Sequence, residues 1–320
     1  MSVDRQAPAS QVHPQLAQAL GIDQQLRQDL GPAEGGIDGM RKHAELARRW
    51  WNEGGPAMAR EIEAVVPVTG ASVRVVVYVP TVSATLRPAY LYLHGGGFKV
   101  GGPRSNDRML RELAATWGGI VVSVDYVKIP EVAFPVAVEQ TVQVYQWLRS
   151  NGAAWGIDGE RLAFGGSSSG ASISLGATVQ LGGEGTAFLR AGVLLAGFFD
   201  TDADSESMRR FGKDTVPSQQ SVRATLKQYL PDPALRADPR VNLVQADPRL
   251  LPPLFIAAAE LDVLRDSSRR LAAMMKAAGR PHQWVEYQGM THRFAGYSRT
   301  VETASRCIGD MAAFLAQNMR

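Results

Sequence analysis

Apolar positions recur along this chain with two different periods, and the change of period divides it. In residues 1–55, apolar side chains stand three or four positions apart with charged side chains between them. The pattern is clearest in the set Ile37, Met40, Ala44, Ala47 and Trp51. This spacing predicts amphipathic helices, with a break at the Gly- and Pro-rich residues 31–36.

From residue 61 onward, short apolar runs rich in β-branched side chains alternate with helical periods. The predicted strands cover residues 65–68, 73–78, 89–93, 120–124, 162–165, 191–195, 254–259 and 283–287. The predicted helices cover residues 107–117, 136–149, 168–180, 221–230, 267–278 and 301–317. Such alternation predicts an α/β fold, in which helices flank a mostly parallel sheet of about eight strands.

The segment of about 200–250 interrupts this rhythm. It is polar and rich in Pro and Asp, yet it contains one helical piece. We therefore predict a helical segment at 1–55 and one α/β domain at 56–320, with an insertion at about 200–250. Insertions of this length usually cover a functional surface.

Charge and composition exclude several classes of function. The formal net charge is +3 and the charges are scattered, so nucleic acid is not an expected partner. Cys307 is the only cysteine, which rules out an internal disulfide, and none of the five histidines forms a pair at zinc spacing. We expect no metal and no cofactor.

Neither targeting nor membrane insertion is indicated. The first fourteen residues are polar and lack the apolar stretch of a secretory signal. The longest apolar run, residues 191–199, is too short to span a bilayer. The sequence therefore predicts a cytoplasmic protein without a membrane span.

Three consecutive serines follow the predicted strand at 162–165, in the stretch Gly165–Ala171 written GGSSSGA. A nucleophile at a sharp strand-to-helix turn needs small residues two positions before and after it. Only Ser168 has glycine at both places, Gly166 and Gly170, so Ser168 is the candidate nucleophile. The dinucleotide-binding and P-loop patterns both fail on their glycine and lysine spacing.

Glycines also follow the predicted strand at 89–93, in the stretch His94–Phe98 written HGGGF. Glycines let backbone N–H groups approach a developing oxyanion, although a flexible turn is the simpler interpretation. The position directly after a strand favours an oxyanion loop. We assign His94 and Gly95 a structural role in supporting it.

The two later strands end near an acid and a histidine. A Ser-acid-His order along the chain is typical of triads on this kind of sheet, and Ser168, Asp262 and His292 obey it. Glu260 and Asp266 are the competing acids. Glu260 lies too near the strand end, and Asp266 is better placed to cap the following helix.

Taken together, these motifs resemble the hormone-sensitive-lipase-like family of α/β-hydrolase carboxylesterases. The resemblance covers residues 60–320 and rests on five segments in order. They are HGGGF (94–98), DYVKIPEVAFPV (125–136), GSSSGA (166–171), PPLFIAAAELDVLRD (252–266) and GMTHRF (289–294).

The resemblance implies a carboxylesterase that cleaves short-acyl esters of small molecules through a Ser-His-Asp triad. It implies that the oxyanion donors are the N–H groups of Gly96, Gly97 and Ser169. It also implies a cap over the active site, made by residues 1–55 and about 200–250, and it favours a homodimer. An amidase, a lactonase and a non-catalytic ligand-binding protein of the same fold remain alternatives.

Two positions depart from the family pattern. The family usually carries Asp where this chain has Ser167, and Arg where it has Val127. We hypothesise that these charged residues normally support each other and that both are absent here because one alone would be costly.

Large aromatic residues are candidates for the walls of a substrate pocket. They are Trp50, Trp51, Phe98, Phe198 and Phe199. The alternative is that the two tryptophans are ordinary helix-packing residues, because large aromatics are commonly buried.

Overall fold

The computed structural model describes residues 12–213 and 215–320. Its strands are β1 (Arg60–Val68), β2 (Ala71–Val79), β3 (Arg87–Leu93), β4 (Ile120–Asp125), β5 (Ile157–Ser167), β6 (Leu189–Leu195), β7 (Leu254–Ala259) and β8 (His282–Tyr287). Its helices are α1 (Pro14–Leu30), α2 (Gly36–Leu46), α3 (Arg49–Asn52), α4 (Asp107–Trp117), α5 (Val136–Asn151), α6 (Ser169–Leu181), α7 (Glu206–Phe211), α8 (Gln219–Tyr229), α9 (Arg265–Ala277) and α10 (Glu302–Asn318).

The eight strands form one sheet in the order β1-β2-β4-β3-β5-β6-β7-β8. The pairs β1–β2 and β2–β4 are antiparallel, and the remaining five pairs are parallel. The predicted α/β fold with a mostly parallel sheet is confirmed. Because β3 to β8 run in one direction, the loops after their carboxyl ends meet at one edge of the sheet.

Helices cover both faces of the sheet, which explains why the central strands read as continuous apolar runs. All six residues of β7, for example, are buried. Side chains of α5, α6 and α9 pack on one face, and side chains of α1, α4 and α10 pack on the other. Cys307 belongs to the second layer, where burial raises the pKa of its thiol to about 12.

Two groups of helices stand apart from the alternation of strands and helices along the chain. α1 to α3 precede β1, and α7 and α8 lie between β6 and β7. α1 is one continuous helix that ends at Gly31, whose φ is +70°, at the start of the predicted break. Residues 1–11 of the predicted N-terminal segment lie outside the described residues. Among the helices that the structure describes, none combines the length and apolar content that crossing a bilayer requires.

Candidate active site

Ser168 occupies a sharp turn between the end of β5 and the start of α6. Its backbone has φ +52° and ψ −124°, a conformation that is strained for any residue other than glycine. Its N–H donates to the carbonyl of Leu195 at 2.8 Å, which ties the turn to the neighbouring strand β6. The turn holds the hydroxyl at the edge of the sheet, where the parallel strands end.

The glycines around Ser168 are required by the end of β3. A Cβ atom on Gly166 would lie 2.2 Å from the carbonyl oxygen of Leu93, and one on Gly170 would lie 2.0 Å from the same oxygen. Both distances are far inside van der Waals contact, so only glycine fits at either position. The glycine spacing that singled out Ser168 in the sequence therefore has a steric cause.

The flanking serines are engaged elsewhere. The Ser167 hydroxyl hydrogen-bonds to the Tyr92 hydroxyl at 2.8 Å, and the Ser169 hydroxyl lies 3.1 Å from the Tyr126 hydroxyl. The Ser168 hydroxyl is instead 2.9 Å from Nε2 of His292. Of the three serines, Ser168 is thus the one that faces a base.

The structure brings together the three residues predicted as a triad. Nδ1 of His292 lies 2.7 Å from Oδ2 of Asp262, although the two residues are 30 positions apart. Asp262 is 1% exposed, and its other oxygen accepts a hydrogen bond of 2.9 Å from the N–H of Leu264. A carboxylate held in this way fixes the orientation of the imidazole, so that Nε2 is free to accept the serine proton.

The two competing acids have other partners. Oε2 of Glu260 accepts a 2.7 Å hydrogen bond from the N–H of Gly289 and thereby anchors the loop after β8. Oδ2 of Asp266 accepts a 2.7 Å hydrogen bond from the N–H of Ser207. Neither carboxylate is paired with His292.

The loop after β3 presents backbone donors beside Ser168. Gly96 and Gly97 have φ values of +143° and +60°, and a Cβ on Gly96 would lie 2.0 Å from the carbonyl oxygen of Val100. Within residues 12–213 and 215–320, no acceptor is bound to the N–H of Gly96 or of Gly97. The N–H of Ser169 stands in the first turn of α6, where helix N–H groups lack partners in the helix and favour negative charge.

His94 and Gly95 connect this loop to the sheet. The side chain of His94 is fully buried, and its Nδ1–H donates to the carbonyl of Gly95 at 2.9 Å. Burial lowers the pKa of His94, which favours the neutral ring. Gly95 packs against the serine turn, because a Cβ there would lie 3.1 Å from Oγ of Ser167.

Tyr126 is a contributor that sequence reasoning missed. Its ring stacks on His94 at 4.4 Å, and its hydroxyl donates to the carbonyl of His94 at 3.1 Å while also contacting Oγ of Ser169. One buried hydroxyl therefore links the glycine loop to the start of α6. The segment 125–136 was noted as a motif, but nothing in it indicated this role for its tyrosine.

A cavity of about 480 Å³ opens above Ser168 and His292. Its floor is formed by the glycine loop and the serine turn, and its other walls include side chains of α1, α2 and α8. Phe98 and Phe198, two of the five predicted pocket residues, line it.

The structure corrects the other three pocket predictions, because those side chains pack elsewhere. Trp51 is fully buried, and its Nε1–H donates to Asp23 at 3.0 Å. Trp50 lies under the guanidinium of Arg299, 3.8 Å from the ring centroid. Phe199 is fully buried in the sheet core. Both tryptophans therefore have packing partners away from the residues that line the cavity.

Proteins similar to this chain include several esterases. The chain matches a family model described as alpha/beta hydrolase fold over residues 90–296. It is 34% identical to an acetyl esterase of Salmonella choleraesuis and 33% identical to one of Salmonella typhi, in each case over 90% of both chains.

This chain belongs to the hormone-sensitive-lipase-like family of α/β-hydrolase carboxylesterases. Solved structures agree. A thermostable carboxylesterase from a metagenomic library has a TM-score of 0.85 at 29% identity, covering 89% of this chain and 98% of its own. An esterase of the archaeon Pyrobaculum calidifontis has a TM-score of 0.87 at 27% identity, covering 96% and 98%. The protein is a carboxylic ester hydrolase.

The two departures from the family pattern lie in different surroundings. Ser167 contacts Tyr92 in the layer that contains α4 and α10, whereas Val127 packs against the core of the other layer. The hypothesis that these positions normally support each other stays a prediction.

Proposed function

We propose that this esterase cleaves esters of short acyl groups, acetyl esters among them, through a Ser-His-Asp triad and an acyl-enzyme intermediate. The observation that carries the proposal is the continuous line from Asp262 through His292 to Ser168, with contacts of 2.7 and 2.9 Å. The acyl preference is supported by the relatives described as acetyl esterases.

In the proposed first step, Oγ of Ser168 attacks the ester carbonyl while Nε2 of His292 accepts the serine proton. Asp262 stabilises the resulting imidazolium. The carbonyl oxygen becomes an oxyanion that accepts hydrogen bonds from the N–H groups of Gly96, Gly97 and Ser169, and each such donor contributes on the order of 3 kcal/mol.

The tetrahedral intermediate then collapses. The bond between the acyl carbon and the alcohol oxygen breaks, and the leaving alkoxide takes the proton from His292. Water enters, loses a proton to His292 and attacks the acyl-enzyme, and the carboxylic acid leaves as Ser168 regains its proton. All of these proton transfers use groups of this chain, so the chemistry needs neither metal nor cofactor.

We also propose that α1, α2 and α8 form a cap over this site, as expected for residues 1–55 and about 200–250. The support is their contribution to the cavity, which includes Met40 and Ala44 of α2 and Val222 and Leu226 of α8. Apolar side chains at these places would exclude water from the acyl-enzyme except for the attacking molecule.

The decisive test is labelling with a fluorophosphonate, followed by mass spectrometry of the modified peptide. We expect the adduct on Ser168, and we expect Ser168→Ala to lower kcat on p-nitrophenyl acetate by about a millionfold. Ser167→Ala is the matched control and should keep the adduct on Ser168. An adduct on Ser167 or Ser169, or near-normal turnover by Ser168→Ala, would contradict the assignment.

A panel of esters with acyl chains from acetyl to decanoyl tests the acyl preference, and matched acetamides and lactones test the amidase and lactonase alternatives. We expect kcat/KM to be highest for the shortest esters. Faster hydrolysis of the amides or lactones would reassign the substrate while leaving the triad in place.

A further inference from the structure

One wall of the cavity is cationic. Four of its lining residues carry a positive charge, namely Arg27, Arg48, Lys99 and Arg293. The part of the cavity wall that the structure describes contains neither Asp nor Glu. A cleft lined by charges of one sign attracts ligands of the opposite sign.

The acids near this wall offset only one of these charges. Asp23 lies 2.8 Å from Nε of Arg27, and its other oxygen accepts the hydrogen bond from Trp51. For Arg48 and Arg293, no carboxylate lies within 4.0 Å in the described parts of the chain. The charge on these two arginines therefore remains available to a ligand.

Arg48 is the unusual member of the set, because it is only 4% exposed. Its Nε donates to the carbonyl of Ser105 at 3.1 Å and its Nη2 to the carbonyl of Gly296 at 2.6 Å, both neutral acceptors. Its Nη1 is buried and has no hydrogen-bond partner among the described residues. A buried cation without a counter-ion is costly, and an anionic ligand would remove that cost.

Burial, together with the nearby charge of Arg293, lowers the pKa of Arg48 to about 10. The side chain is still cationic at neutral pH.

A second donor, the side-chain amide of Asn106, lies near the guanidinium of Arg48 at Gly296. A Cβ on Gly296 would lie 2.8 Å from Nη2 of Arg48 and 3.0 Å from Nδ2 of Asn106. Oδ1 of Asn106 accepts a hydrogen bond from the Tyr92 hydroxyl at 3.2 Å, which leaves its Nδ2 as a donor on the other side. Two N–H donors around one glycine on the cavity wall suit the paired oxygens of a carboxylate.

The residues of this wall that lie nearest to the catalytic base in sequence are Arg293 and Gly296. Arg293 directly follows His292, and Gly296 is four residues further on. Since His292 protonates the leaving alkoxide, the alcohol part of the ester must lie beside it. The wall formed by Phe198, Val222 and Leu226 is apolar and suits the acyl group.

We propose that the preferred substrates are short-acyl esters of hydroxycarboxylic acids, whose free carboxylate is bound by Arg48, Asn106 and Arg293. The proposal rests on the esterase function above and names its substrate class. The carboxylate is not altered during the reaction: the bond that breaks joins the acyl carbon to the hydroxyl oxygen, and the product is the free hydroxy acid.

The test compares O-acetyl lactate with its methyl ester, which has the same acetyl group and no charge. We expect a higher kcat/KM for the anion. Arg48→Met should lower the ratio of the two kcat/KM values by roughly tenfold to a hundredfold, as expected for lost hydrogen bonds to a charged group. Arg49→Met is the matched control, because Arg49 is adjacent and exposed, and it should leave the ratio unchanged.

Gly296→Ala provides a second variant, since removal of a buried arginine can prevent folding. It keeps every charge and places a methyl group where the donors converge, so the ratio should fall in the same direction. Equal kcat/KM values for the two esters in the unmodified protein would overturn the proposal. The proposal would also be overturned if both variants lowered kcat/KM by the same factor for the two esters. That result is expected if Arg48 only supports the loop at Gly296.

Monomethyl succinate carries its carboxylate on the acyl side. A preference for this ester over O-acetyl lactate would overturn the placement of the anion at the alcohol. Calorimetric titration of Ser168→Ala with O-acetyl lactate and with its methyl ester measures carboxylate recognition without turnover. Loss of the esterase function and loss of the anion site are therefore distinguishable.

Discussion

The floor and the roof of the cavity are built in different ways. The floor consists of the glycine loop 94–98 and the serine turn 165–170. At four of its glycines, Gly96, Gly165, Gly166 and Gly170, a backbone oxygen lies within 1.9–2.2 Å of the missing Cβ position. The roof, by which we mean the side chains that α2 and α8 of the proposed cap contribute to the cavity lining, includes Met40, which is 45% exposed. Backbone contacts of this kind tolerate almost no change, whereas side-chain walls can be reshaped. We infer that the chemistry is fixed by the floor and the substrate range by the walls and roof.

Among the substitutions that test whether chemistry and substrate range are fixed separately, Asp262→Asn should cause the largest loss of activity. The amide would leave His292 in the wrong tautomer, so kcat should fall by on the order of 10⁴ while the fold is retained. Measurement of kcat on p-nitrophenyl acetate checks this. Asp266→Asn is the control, because Asp266 binds the N–H of Ser207 instead, and a comparable loss in that variant would point to the wrong acid.

Gly166→Ala should distort the floor itself. The added methyl carbon would meet the carbonyl oxygen of Leu93 at 2.2 Å, and Gly166 also has φ +158°. We expect a loss of stability on the order of 3 kcal/mol, measured by urea denaturation. Gly102→Ala is matched, since nothing lies within 4 Å of its added Cβ. Equal midpoints for the two variants would contradict the steric account of the turn.

The floor was predictable because its signals are local. Glycines two positions from Ser168 and a run of glycines directly after β3 are both required by close backbone contacts near the end of a strand. That Ser168, Asp262 and His292 lie at the same edge then follows from the common direction of the parallel strands that precede them. The strands themselves were predictable because a sheet covered on both faces requires apolar runs such as 254–259.

Phe98 and Phe198 apart, the walls were not predictable because their contacts join distant parts of the chain. Arg48 donates to the carbonyl of Gly296, 248 residues away, and nothing near either residue indicates this. Trp50 and Trp51 signalled burial through their size alone. Size does not specify which surface covers a side chain, and their partners Asp23 and Arg299 lie on other segments.

Tyr126→Phe tests a contact between the floor and its support. The variant loses the hydrogen bond to the carbonyl of His94 and the contact with Ser169, so the oxyanion donors should be held less well. We expect kcat to fall about tenfold with little change in KM, together with a loss of stability of about 1 kcal/mol. Tyr145→Phe removes a buried hydroxyl that donates to Ser174. If both variants lose kcat equally, the effect of Tyr126 is on stability alone.

Val222→Ala should leave the turnover of acetyl esters nearly unchanged and tests the roof. Val222 lies on α8, is 9% exposed and lines the cavity, so its truncation enlarges the apolar wall without touching the floor. Because one or two methylene groups in a pocket change discrimination by a modest factor, the ratio of kcat/KM for hexanoyl over acetyl esters should rise roughly tenfold. Gln228→Ala, an exposed change on the same helix, should leave that ratio unaltered. A fall in kcat for acetyl esters that matches the change for hexanoyl esters would mean that the roof positions the triad, and the separation of chemistry from substrate range would fail.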